Sequence, residues 1–320
     1  MSTETTAIPS KFISLIASSL QLSEKQIRNA IQLFNEGATI PFVSRYRKEM
    51  TDGMDEVQLG DTKDQYDKLC ELAKRKLAVL KSIEEQDKLT PELKARIDSC
   101  WNIIELEDIY LPYKTKRRTR AEIAREKGLE PLAKMLMKQQ SNDVERMALS
   151  FVKGEVVDAD DALKGARDIM AEWINESEAA RNSIRTIFSR EAVIFSKLIK
   201  GKDEEAQKYR DYFDMSEKLA RCSSHRLLAM RRGESEGFLR VNITPEDDHC
   251  LERLGRIFVK GETESAQQVA EAVTDAYKRL LKPSIETEFA SDSKSKADTE
   301  AIRVFAENLR QLLLSPPSCE

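Results

Sequence analysis

Apolar residues recur at three- and four-residue spacings along nearly the whole chain, the period of helices with one buried face. Phe12, Ile13, Leu15 and Ile16 mark a first short helix over residues 11–20. Ser23 and Gln26 stand at capping-box spacing, and Ile27, Ala30, Ile31 and Phe34 then share a face that Gly37 closes. A third helix from Pro41 completes a helix-turn-helix-like start, a topology that also serves as plain core. Asp55 can cap a long helix reaching to about residue 87, in which Tyr66, Cys70, Ala73, Leu77 and Leu80 form a seam against other helices. This element reads as a spine, because the repeat is too short to demand a partner chain. Gly60 weakens it by roughly 1 kcal/mol relative to alanine, which predicts a late start or a bend.

Thr90-Pro91 opens a further helix with Leu93, Ile97, Trp101 and Ile104 on one stripe. Helices follow over 131–139, 142–152 and 160–175, the last burying Ala162, Ala166, Ile169 and Trp173. A helix over 176–200 places Ile184, Ile187, Phe188, Ile194 and Leu198 inward, and Gly201-Lys202-Asp203 breaks it. Beyond that break the pattern predicts helices over 204–212, 216–221, 224–232 (with Gly233 past its end), 245–257, 265–281, 283–290 and 296–314. Only residues 238–243 alternate as a strand does. The fold class is therefore all-α, a multi-helix elongated assembly with a helix-turn-helix-like N-terminal part and at most one short strand. The expected division is a flexible tail over 1–10, a helical domain over 11–200, a second helical region over 201–314 and a linker over 315–320.

Composition sharpens this in two ways. The 320 residues are 40% apolar and 34% charged with a net charge of -4, so a polyanion has to be held by a local patch, not by a uniformly basic coat. Five scattered cysteines suit a reducing cytoplasm, no apolar run approaches the roughly 20 residues a bilayer requires, and the first residues lack a signal-peptide core. The expectation is a cytoplasmic chain without a membrane partner.

The densest cationic run lies between Pro112, which stops one helix, and Thr119-x-x-Glu122, which has the spacing to start another near Arg120. Gly128 can end that helix. Lys114, Lys116, Arg117, Arg118 and Arg120 crowd into the connector and first helical residue, an arrangement suited to phosphate. The plainer reading is a solvated face or partners for Glu107, Asp108 and Glu122. Arg45, Arg47 and Lys48, with Tyr46 among them, form a second basic cluster.

Catalytic patterns are not found: there is no Walker loop, no Gly-x-Gly-x-x-Gly and no His-Glu-x-x-His. Cys222-x-x-His225 and His249-Cys250 supply four nitrogen and sulfur donors, but adjacent His249 and Cys250 are poorly placed to reach one tetrahedral ion. Asp160-Asp161 and Asp247-Asp248 sit near helix starts, where carboxylates suit the macrodipole, and Arg231-Arg232 sits near a helix end. No catalytic residue, metal or cofactor is expected.

The segment from Leu106 to Leu132 resembles the signature of the bacterial Tex family of transcription accessory factors. So do Glu36-Gly37-Ala38-Thr39-Ile40-Pro41-Phe42 with Arg45-Tyr46-Arg47-Lys48-Glu49, Asp211-Tyr212-Phe213 and Ser224-His225-Arg226. The same holds for Asp275-Ala276-Tyr277-Lys278-Arg279-Leu280-Leu281, Pro283-Ser284-Ile285-Glu286 and Phe305-Ala306-Glu307-Asn308-Leu309-Arg310. Gly60 and Cys222 depart from the family pattern. The resemblance implies a mostly helical cytoplasmic protein that binds nucleic acid, of which this is the N-terminal part, with an RNase H-like domain, helix-hairpin-helix units and an OB-fold expected beyond it. From the basic run itself, the expected function is a non-enzymatic scaffold contacting RNA or DNA phosphates through Lys114, Lys116, Arg117, Arg118 and Arg120, with Arg45, Arg47 and Lys48 as second candidates provided that the fold brings the two clusters to one face. The alternative is a protein-interaction module docking on transcription machinery or on the factor's own C-terminal domains.

Overall fold

Six of the helices belong to the first of two units, Met1–Thr115 and Lys116–Glu320. The structure is a computed structural model and describes residues 8–114 and 118–314. In the first unit α1 (Ser10–Leu20), α2 (Glu24–Asn35) and α3 (Ile40–Tyr46) lead into the 29-residue α4 (Glu56–Glu84). Then come α5 (Pro91–Ser99), α6 (Ile103–Tyr110) and a 3-10 turn over Leu111–Tyr113. The capping box expected at Ser23 and Gln26 forms, and Asp55, expected only as a cap, accepts from Gln58 N–H in a full box. The Asp55 box starts α4 at Glu56, so Gly60 lies within the helix and the late start does not occur.

Helix α4 is the spine, with a separate small core at each level. Leu59 packs with Ala30, Leu33, Val43 and Met54, and Tyr66 and Leu69 with Ile13, Ile16, Ile27 and Ile31. Leu72, Val79 and Ile83 pack with Ile97, Cys100, Leu106, Ile109 and Tyr110. The seam thus differs from the one the spacing predicts: Leu77 is 68% exposed, and Lys76 takes a core position. Lys76 Nζ donates to the Asp98 carbonyl at 2.9 Å and stands 3.7 Å from the Trp101 ring centroid. A buried ammonium needs such partners, and with them its methylene stem fills the seam as an aliphatic residue does.

The second unit runs α7 (Arg120–Glu126), α8 (Glu130–Met137), α9 (Val144–Leu149), α10 (Ala159–Glu176) and α11 (Glu178–Glu191). Strands β1 (Val193–Leu198) and β2 (Asp214–Lys218), helix α12 (Ser224–Ser235), strand β3 (Leu239–Thr244) and helices α13 (Asp247–Phe258) and α14 (Glu264–Asp275) follow. Helix α14 continues through a π-helical stretch, Ala276–Leu281, into α15 (Lys282–Leu314). Helix α10 is the hub, touching α7, α8, α9, α11 and α14 and burying Ala162, Ala166, Ile169, Met170 and Ile174.

The all-α reading holds in that helices dominate, while the described residues contain one small antiparallel sheet of order β2-β1-β3, not a single strand. The helix expected over 176–200 ends at Glu191: Ala192 turns extended and β1 sets Ile194 against Glu217 on one side and Ile243 on the other. A short run such as Val193-Ile194-Phe195 fits either period, and the β-branched content decides for strand once two partners flank it. Residues 216–218, the start of the helix expected over 216–221, belong instead to the edge strand β2, which has no β-branched residue and is extended by its pairing with β1. The boundary expected at Gly201 is also corrected. Strand β1 lies before it and β2 and β3 after it in one sheet, so Gly201 (φ +80°) is a turn inside one unit, and the division falls at Thr115/Lys116 instead. The helices expected over 283–290 and 296–314 are one helix, with Pro283 tolerated in its first turn. No described helix is long and apolar enough to cross a membrane.

Two glycines test this packing in opposite directions. A Cβ at Gly60 meets nothing within 4 Å, so Gly60→Ala should raise stability by about 0.5–1 kcal/mol in urea denaturation. Gly233 lies inside α12, not past its end, and a Cβ there would come within 2.6 Å of Leu239 Cδ1 and 2.9 Å of its Cγ. Gly233→Ala should lower stability by about 1–3 kcal/mol in the same assay.

Candidate nucleic-acid interface

Seven residues make up α3, and only Val43 is buried, in the core shared with Leu33, Met54 and Leu59. Ile40 packs partly against the same core and Ser44 is half-buried, while Pro41, Phe42, Arg45 and Tyr46 face solvent. Phe42 (43% exposed) and Tyr46 (73%) lie one turn apart with ring centroids 5.5 Å from each other. The Arg47 guanidinium carbon stands 6.0 Å from the Phe42 centroid. Beyond the helix the backbone is tied down rather than loose. Met50 N–H donates to the Arg47 carbonyl and Gly53 N–H to the Lys48 carbonyl, each at 3.0 Å. Asn29 on α2 donates to the Met50 carbonyl at 2.6 Å, and Lys25 pairs with Asp52 at 3.2 Å. Arg45, Arg47 and Lys48 are exposed on this ordered backbone, and among the described residues none of them has an ion-pair partner. The neighbouring carboxylate of Glu56 accepts from the Ser44 hydroxyl at 3.1 Å.

The division between the units falls inside the main basic run. Lys114 is exposed at the end of the first unit, Arg118 and Arg120 belong to the second, and Lys116 and Arg117 lie outside the described residues. Arg118 meets Glu126 at 3.0 Å, with the two side chains 71% and 56% exposed. An ion pair that open to water contributes about 0–1 kcal/mol, so the guanidinium is readily exchanged to another anion. Arg120, also exposed, lies near the half-buried Asp168. Glu107, close in sequence to the run, is taken instead by Arg75 in a bidentate pair at 2.6 and 3.1 Å.

Helix α7 starts where Thr119-x-x-Glu122 predicts and ends at Gly128 (φ +79°). The Thr119 hydroxyl accepts from Glu122 N–H at 3.1 Å and donates to Glu172 on α10 at 3.2 Å. Glu172 is buried and also accepts from Arg125 at 2.8 Å. One carboxylate therefore fixes the start of α7, immediately after Arg118.

Other sequence candidates are framework. Tyr277, fully buried, donates to Asp247 at 2.8 Å, and Lys282 reaches the same oxygen at 2.7 Å. Burial alone would raise the Asp247 carboxyl, but the hydrogen bonds from Lys282 and Tyr277 outweigh it and hold the group below the usual range. Arg279 ties Asp275 to Asp168. His249 bonds to Glu191 at 2.8 Å while Cys250 points into the core, and burial pushes the Cys222 thiol up to about 11. Among the described residues no group of three or more His, Cys, Asp or Glu is placed to hold a metal ion.

Sequence reasoning assigned no role to Phe42 and placed Tyr46 only as a neighbour of cations. Their spacing of four, with just one apolar neighbour turned inward, was the signal available. Glu172 had none, being 53 residues from Thr119. Glu172→Ala should destabilise the chain by about 1–3 kcal/mol, because it removes the acceptor of Thr119 and the nearer carboxylate of Arg125, leaving Arg125 with Glu130 at 3.8 Å; urea unfolding followed by circular dichroism reads the loss.

Comparison with known proteins agrees with this division. Residues 10–84 match the model of the Tex-like protein N-terminal domain and residues 139–305 that of the Tex central region-like family. The chain is 40% identical over 317 residues to the transcriptional accessory protein Tex of Neisseria gonorrhoeae, covering 95% of this chain and 41% of that protein. It is 39% identical over 321 residues to protein YhgF of Escherichia coli K12, covering 96% and 41%. It is 28% identical over 306 residues to the human S1 RNA-binding domain-containing protein 1, covering 90% and 30%. The chain thus spans about two-fifths of the length of these bacterial relatives. With the central-region model alone matching more than half of its residues, and the N-terminal model matching the helices around α4, the chain belongs to the Tex family.

Proposed function

We propose that this chain is a non-enzymatic, nucleic-acid-binding helical scaffold of a transcription accessory factor, holding RNA or DNA by backbone phosphates with little sequence preference. The observation that carries this reading is the α3 cluster. Arg45, Arg47 and Lys48 stand exposed on hydrogen-bonded backbone without ion-pair partners among the described residues, in a chain whose net charge is -4. Local cations on an acidic protein are what a phosphate contact requires, since the overall field repels a polyanion. Helices α1–α3 are read as a helix-turn-helix-like unit presenting this cluster. Lys114, Lys116, Arg117, Arg118 and Arg120 are the second contact set, by their density in the sequence. The printed names of relatives, a transcriptional accessory protein and an S1 RNA-binding domain-containing protein, support transcription and RNA as the setting. Free thiols at Cys70, Cys100, Cys222 and Cys250 support a cytoplasmic location.

A second reading, docking on transcription machinery or on the factor's own further domains, is favoured by the far part of α15. There Ile302, Phe305, Leu309 and Leu312 form an exposed apolar stripe at spacings of three and four.

Titration of the chain with labelled single-stranded RNA and duplex DNA across a salt series separates the two. Phosphate binding gives log affinity falling linearly with log salt, with a slope of about -0.7 per contact on single strands and about -0.9 on B-DNA. Replacing Arg45, Arg47 and Lys48 together with alanine should reduce the single-strand slope by roughly 2 while leaving thermal unfolding unchanged. Lack of binding at low salt, together with capture of RNA polymerase, would transfer the assignment to the docking reading.

A further inference from the structure

Phe42 and Tyr46 are unusual in their surroundings. Large aromatic side chains dominate protein cores, yet these two lie open on a short helix whose one buried residue is Val43. Their rings are tilted 42° to each other rather than stacked, Tyr46 keeps 73% of its surface exposed, and Arg47 stands over the Phe42 ring. Cations interleave with them: Arg45 precedes Tyr46, Arg47 approaches the Phe42 ring, and Lys48 follows. The acids that follow in sequence are Glu49, which is exposed, Asp52, which pairs with Lys25, Asp55, which caps α4, and Glu56, which accepts from Ser44.

We infer that the occupant of this platform is single-stranded nucleic acid, with unpaired bases stacked on Phe42 and Tyr46 and the flanking phosphates on Arg45, Arg47 and Lys48. The inference rests on the phosphate-binding reading above and adds which strand form is bound and by what contact. Every base has a π-face, so aromatic stacking beside a cationic track binds single strands without reading their sequence. A duplex keeps its bases stacked on each other and offers the rings nothing, leaving only the phosphate contact. Aromatic residues and Arg are common in protein interfaces too; what favours a nucleic-acid strand is the three adjacent cations without acid partners among the described residues, which a polymer carrying an anion at every nucleotide can meet together. The turn from Arg47 to Gly53 is already hydrogen-bonded to α2 through Asn29 and Met50, so little ordering accompanies binding.

The test compares three ligands of about twelve nucleotides on the full 320-residue chain at low salt: oligothymidylate, an abasic deoxyribose strand of equal charge, and the matching duplex. Oligothymidylate should bind about tenfold or more tighter than the abasic strand or the duplex. The double variant Phe42→Leu, Tyr46→Ala should reduce oligothymidylate, and an oligouridylate of the same length, to the abasic level. Arg45→Ala should weaken the base-bearing and abasic strands by the same factor. Thermal unfolding of each variant checks that the fold is kept; if the double variant does not fold, Tyr46→Ala alone must show the same selective loss. Equal, salt-dependent binding of all three ligands, or a double variant that keeps the preference for bases, would overturn the stacking inference and leave phosphate binding standing. Absence of binding to every ligand would overturn both.

Discussion

A charged side chain taken into a protein interior has to find its partners there, and in each unit a central helix carries one such group. Lys76 on α4 is held by the Asp98 carbonyl and the face of Trp101, and Glu172 on α10 by Arg125 and Thr119. Both helices are touched by neighbours on several sides, so they cannot turn every polar residue to water. The solution in both cases is a specific contact from a different helix or its cap. These contacts add geometry that apolar packing lacks: the Trp101 ring is set against α4, and the first turn of α7 is set against α10. Glu172 in particular determines where the chain resumes after the basic run.

The cations divide into two structural kinds. Those at α3 sit on backbone whose donors and acceptors are satisfied internally, so their side chains alone are free to move. Those of the main run straddle the division between the units. Of the described ones, Arg118 is in an exposed pair and Arg120 lies beside Asp168 on α10. A cation without an acid partner gives up no ion pair on meeting a phosphate, and this difference ranks α3 first as the proposed contact surface.

Several of the residues that resemble the family signature hold the framework, Tyr277, Arg279 and Arg226 among them. Tyr277 and Lys282 converge on Asp247, Arg279 bridges Asp275 and Asp168, and Arg226 pairs with Glu217 at 2.8 Å. The first two of these arise where α14 passes into α15 through the π-helical stretch. One added residue in the turn is how a helix re-aims its side chains, and here Tyr277 and Arg279 are the ones re-aimed into the unit. The segment from Glu36 to Glu49 differs in kind, since only Val43 in its helix is committed to the core.

Much of the helical order was legible locally. The capping box at Ser23, the caps at Asp55 and Thr119, Gly128 as a stop and the buried face of α10 each depend on residues within one or two turns, and each forms where its spacing places it. The basic run and the Arg45–Lys48 cluster were equally plain as charge. Tertiary structure alone decided matters in which a residue's neighbour is remote in the chain. Val193-Ile194-Phe195 became a strand because residues 214–218 and 239–244 arrived to pair with it. Lys76 went inward because Trp101 and the Asp98 carbonyl met it, and Leu77 was left outside. Phe42 and Tyr46 stand exposed on α3 among the described residues, a circumstance invisible in a pattern that marks aromatics as core. Local spacing specifies what a segment can form, and only the packed neighbours determine which of its faces water keeps.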